Sequence, residues 1–185
     1  PLIWKELTAL GISFVRCGVF ILDENIRSIR AFLSTPEGHA IAAMEMPYDS
    51  FVNLGTAIDN WRMHKLYVTH WVEEDFQVQA DILVKHGAIP SRVQYLKTIP
   101  NGGIHLHFLP FLQGMLYVGN TERLNDDQLQ LIQLVADAFS TAYARYEDFN
   151  NLEEAKRQVD KTLVDLKQAQ QQLVQAEKMA SLGEL

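Results

Sequence analysis

Between Gly119 and Gly183 the chain contains no glycine, and after Pro110 it contains no proline. Nothing within that stretch ends a helix, because proline breaks the hydrogen-bond ladder and glycine is the usual residue just past a helix end. A start, by contrast, is well marked. Asn125 with Gln128 three residues later forms a capping-box pattern, and Asp126 and Asp127 put negative charge where the helix dipole favours it. Leu129, Ile132, Val135 or Ala136, Phe139, Tyr143, Tyr146 and Phe149 then make one apolar stripe. Continuous from Asn125 to Leu182, such a helix would be about 87 Å long at roughly 1.5 Å per residue. That is longer than the domain preceding it is expected to be wide, so its distal half needs another partner.

The distal half says what the partner is. Leu152, Val159, Leu166, Leu173 and Ala180 recur every seven residues, and Ala155, Thr162, Ala169 and Ala176 fall three later. This is an a/d heptad seam, and a second, parallel copy of the chain is its natural complement. The d positions are small and Leu163 lies just outside the seam, so the expected coiled coil is weak and has a second packing within reach. A merely solvated helix rich in Ala, Gln and Lys is the alternative, which the length and regularity of the repeat disfavour.

The first 110 residues hold all six prolines and the strand-like material. Phe14 to Leu22 reads as a strand with Val15, Cys17, Val19 and Ile21 on one apolar face. Asp23-Glu24-Asn25 turns into a second strand, Ile26 to Ser34, and Ala40 to Met46 is a weaker third. Asp49 is positioned to cap a helix carrying Phe51, Leu54, Gly55, Ile58 and Trp61, and Glu73 to His86 is a second helix closed by Gly87. Strands resume at Arg92 to Ile99, then at Ile104 to Pro110 after the Asn101-Gly102-Gly103 turn, and at Met115 to Val118 after Gln113-Gly114. The pattern predicts an α+β domain with an antiparallel sheet and flanking helices, followed by a long C-terminal coiled-coil helix.

With 48% apolar residues among 185, the chain can fill one core. A formal charge of −7 gives no basic surface for nucleic acid, and no apolar run approaches the roughly 20 residues that span a bilayer. Cys17 is the only cysteine, which excludes an internal disulfide and suits a reducing, cytoplasmic compartment. The absence of an initiator Met and the abrupt end inside a helix suggest a piece of a longer protein. No phosphate loop, HExxH or nucleophile with an identifiable base is present, so no catalytic residue is assigned. His105 and His107 alternate with Ile104, Leu106 and Phe108 and share a face, where they could titrate or bind a metal; no third ligand is identifiable, so no metal site is assigned. Trp61, His64 and Trp71 belong to the aromatic-rich segment "WRMHKLYVTHW" and, with the two histidines, are the candidates for a pocket wall; core filling is the alternative reading.

Parts of the chain resemble two known families. "LKQAQQQLVQAEKMASLGEL" (Leu166 to Leu185) resembles the run leading into the dimerisation and phosphotransfer helix of bacterial sensor histidine kinases. "IHLHFLPFLQGMLYVGNTERLNDDQLQLIQLVADAFSTAYARYEDF" (Ile104 to Phe149), with "FVRCGVFILDE" (Phe14 to Glu24), is similar to a GAF domain, a signal-sensing relative of PAS, which is the alternative at the level of fold. The resemblance implies a GAF-like sensory domain over residues 1–149 and a signalling helix over 150–185. It further implies a homodimer, a phosphoacceptor histidine beyond Leu185, a response regulator as downstream partner, and ATP only at a kinase domain outside this sequence. Cofactor and ligand are not identified. Bilin-binding members use a cysteine beside a histidine, which Cys17 lacks; sulfoxide-reductase members need several cysteines; the Asn-Lys-Phe-Asp-Glu signature of cyclic-nucleotide binders cannot be traced. A GAF domain that binds nothing and only dimerises is the other expectation.

Overall fold

The computed structural model of the chain describes residues 3–50, 52 and 54–183. Its elements are α1 (Ile3–Ala9), β1 (Arg16–Asp23), β2 (Ser28–Ser34), β3 (Ala40–Pro47), α2 (Leu54–Arg62), β4 (Tyr67–Trp71), α3 (Glu73–Lys85), α4 (Arg92–Leu96), β5 (Ile104–Phe111), β6 (Gly114–Asn120) and α5 (Asp126–Gly183). The six strands form one sheet in the order β3-β2-β1-β6-β5-β4, with every neighbouring pair antiparallel. The fold is α+β, as expected.

The central strands β1, β5 and β6 are buried on both faces, so their sequences are apolar almost throughout rather than alternating. On one face Phe20, Ile29, Ala31, Leu106 and Tyr117 share a core with Leu54 and Ala57 of α2, Phe76 and Leu83 of α3, and Tyr95 of α4. On the other lie Cys17, Val19, Leu116 and Val118, all buried. There α1 contacts β1, and Phe111 meets Phe139 of α5 edge-on at 5.4 Å. Ile132 and Ala136 of α5 are fully buried.

The chain divides into two compact units, Pro1–Ser140 and Thr141–Leu185. The capping box at the start of α5 is present in full: Gln128 N–H donates to Asn125 Oδ1 at 2.9 Å, and Asn125 N–H donates to Gln128 Oε1 at 3.0 Å. Along the second unit every residue from 148 to 179 is exposed. The a positions Leu152, Val159, Leu166 and Leu173 are 69%, 58%, 63% and 66% exposed, and Ala155, Thr162, Ala169 and Ala176 are exposed with them. The side chain of Ala180 lies outside the described residues, as does the structure of Leu185.

Several expectations from the sequence need correction. Arg92 to Ile99 is not a strand: its first five residues form α4, with Ser91 as N-cap accepting from Gln94 N–H at 3.4 Å. The second strand starts at Ser28, because Asp23 Oδ1 accepts from the amides of Asn25 and Ile26 and Arg27 takes a positive φ, which lengthens the turn. The second helix, α2, starts at Leu54 rather than at Asp49, whose side chain lies outside the described residues, as does Phe51. The sequence pattern predicts neither α1 nor β4. Among the described residues no helix is long and apolar enough to cross a membrane.

Candidate functional site

Between the sheet and α2, α3 and α4 the first unit has a partly open cavity of about 40 Å³. At ~10–15 Å³ for each water-sized occupant, it has room for a molecule of only a few heavy atoms. Its walls are mostly apolar: Phe20, Tyr67, Leu106, Phe108 and Tyr117 on the sheet side face Ala57, Phe76 and Leu83 on the helices. Phe20, Phe108 and Tyr117 contact one another with ring centres 5.3–5.8 Å apart, in the tilted and edge-on arrangements aromatic quadrupoles favour. Gln79 is the polar residue of the α3 wall, and its amide is engaged at both ends: Oε1 accepts from Val52 N–H at 2.9 Å and Nε2 donates to the Ser50 carbonyl at 3.3 Å.

One wall residue is charged. Arg16 opens β1, and the two-residue period of the strand puts it on the same face as Gly18 and Phe20. Its exposure is 1%, and its guanidinium lies between the Phe76 and Tyr95 rings, 5.2 and 5.0 Å from their centres. Nη1 donates to the Tyr95 hydroxyl at 3.1 Å and Nη2 to Thr98 Oγ1 at 2.6 Å. Thr98 spends its own hydroxyl proton on the Tyr95 carbonyl at 2.7 Å, which turns its lone pairs toward the arginine. Nε has no hydrogen-bond partner, and neither has Trp71 Nε1, a second buried donor belonging to a residue of the same wall. The Tyr117 phenol is pushed well above its ordinary range by burial, against which the nearby Arg16 charge acts.

The five residues expected to line a pocket do not converge. Trp71 lines this cavity, but Trp61, His64, His105 and His107 do not. Trp61 packs against the core with Nε1 donating to the Phe111 carbonyl at 2.7 Å. His64 is exposed in the turn after α2, at a φ of 51°. His105 pairs across the strands with His70, ring centres 4.4 Å apart, and its pKa is lowered by burial and then by His70. Among the described residues no three His, Cys, Asp or Glu side chains are grouped to hold a metal.

His107 has a structural position that alternation alone does not reveal. It is completely buried, its Nε2 accepts from Leu124 N–H at 3.1 Å, and its Nδ1 lies 3.2 Å from the Val118 carbonyl. An acceptor Nε2 fixes the neutral tautomer with the proton on Nδ1, donated to Val118. The ring thus ties β5 and β6 to the segment that leads into α5, and burial lowers its pKa. Cys17 is a buried thiol pushed up to about 11 by burial, with Ser34 Oγ 3.7 Å away, and is a core residue. The apolar pattern of the strand draws notice to the face opposite Arg16; a lone arginine leading an apolar run is the signal that could have found it. Comparison with protein-family models, with curated proteins and with solved structures gives no match.

Proposed function

We propose that this chain is the sensory input and dimerisation module of a cytoplasmic bacterial two-component histidine kinase, with a GAF-like domain whose last helix continues toward a phosphoacceptor domain. The observation that carries this reading is α5: an uninterrupted helix of 58 residues whose heptad a positions Leu152, Val159, Leu166 and Leu173 are all exposed in the single chain. Apolar residues repeated at this period and left uncovered are what a parallel partner helix covers. The run from Leu166 to Leu185 resembles the approach to a kinase phosphotransfer helix, which gives the pairing a purpose.

Signalling then works by population shift. A ligand moves an equilibrium only by the difference in its affinity for two states. The small d residues Ala155, Thr162, Ala169 and Ala176 leave the paired helices two packings of similar energy, the kind of bistable element such a shift can act on. ATP is consumed at a kinase domain and not here, and a response regulator is the recipient of the phosphoryl group. The small cavity supports a second reading, a domain that dimerises without sensing, which a full panel of metabolites without effect on melting would favour.

Light scattering tests the seam. The chain should have the mass of a dimer, and the joint replacement Leu152→Asp, Val159→Asp, Leu166→Asp and Leu173→Asp should give a folded monomer. A monomeric unaltered chain, or a dimer indifferent to the four aspartates, would sink the proposal.

A further inference from the structure

Arg16 is the largest of the fully buried side chains, and no ion pair among the described residues includes it. Withdrawing a guanidinium from water is costly, and a methionine would fill such a space without that cost. The Tyr95 and Thr98 hydroxyls, the Tyr117 phenol and two ring faces offset part of the penalty, but they supply no negative charge and leave Nε without an acceptor. An anion in the cavity, which Arg16 lines, would supply that charge.

We infer that the cavity between the sheet and α2–α4 binds a small organic carboxylate, its carboxylate held by Arg16 and its short apolar remainder lying against Leu106 and Phe108. The chemistry of the walls selects this class. A carboxylate matches the planar fork of a guanidinium. A phosphate dianion would call for further cations, and the walls described above hold only one. Apart from Thr69 and Gln79 the remaining wall is aromatic and aliphatic, which suits a hydrocarbon stub and not a hydrated inorganic ion. The volume of about 40 Å³ limits that stub to a few carbons. Trp71 Nε1 offers a second unsatisfied donor in the same wall. The site lies wholly within the first compact unit, so it stands whether or not α5 pairs.

Titration calorimetry on the whole chain decides the matter, comparing propionate with propionamide at matched ionic strength. The two share size and shape and differ in charge. Propionate should bind at least about tenfold more tightly than the amide, because the amide leaves the buried cation unpaired. Arg16→Met should abolish propionate binding while the protein melts at the same or a higher temperature, since it removes an uncompensated charge. Should that variant not fold, the comparison of the two ligands on the unaltered protein stands by itself. No heat from acetate, propionate or butyrate up to ~10 mM, a range that covers even millimolar affinity, would overturn the inference. So would equal binding of the amide, or equally strong competition by chloride or phosphate.

Discussion

Replacing His107 by phenylalanine keeps a flat ring in the same space and removes both nitrogens. The amide of Leu124, a residue 4% exposed, then has lost the acceptor that Nε2 provides. A buried donor left unpaired costs about 1–3 kcal/mol. Where exchange occurs through local opening, that is a roughly 5- to 150-fold faster hydrogen exchange at Leu124, because each 1.4 kcal/mol is a factor of ten. The effect should be centred on the segment leading into α5 and be small in β1. Acid should reproduce part of it in the unaltered protein. Burial holds the folded-state pKa of His107 below the ordinary 6.5, so its contribution to stability is fully present above that value and lost as pH falls toward the folded pKa. A protonated ring has no lone pair for Leu124. His105 shifts in the same direction and keeps its own share in the variant. Denaturation midpoints measured at about pH 7.5 and 5.5 should therefore fall more steeply in the unaltered protein than in His107→Phe. Identical exchange at Leu124, or identical acid dependence in the two proteins, would refute this account of the clamp.

Two further perturbations probe the first unit. Gly103 has a φ of +85°, and a Cβ there would stand 2.1 Å from the Trp71 carbonyl oxygen, so Gly103→Ala should lower stability by at least ~1–3 kcal/mol, read as a shifted urea midpoint. The Cys17 thiol, pushed up to about 11, should resist alkylation at pH 8 in the native protein and react once denaturant is added; rapid native labelling would contradict its burial.

The parts of this fold legible from sequence are those decided by neighbours in the chain. The Asn125–Gln128 box, the strand pair around Gln113-Gly114 and the end of α3 near Gly87 depend on residues a few positions apart. What escaped was decided at long range. Strand β4 has no buried alternation of its own and owes its conformation to pairing with β5. Arg92 to Leu96 carries β-prone Val93 and Tyr95, yet Ser91 caps it as a helix that turns Tyr95 toward a residue 79 positions earlier. The only local sign of Arg16 is its place at the head of an apolar run, and its burial follows from β1 being central and covered on both sides.

That central placement also sets an order of events for a chain emerging from the ribosome. Strands β1, β2 and β3 form a continuous antiparallel run, and β5 and β6 form a hairpin, but the sheet closes only when Cys17 meets Val118. Until β6 has been made, the inner edge of β1 is an open template of unpaired amides and carbonyls with apolar side chains on both faces. Such a late, distant pairing is slow to form and exposed to association with other nascent chains. The hazard in this domain's biogenesis therefore lies at β1, and it is relieved only when the strand just before the long helix has been synthesised.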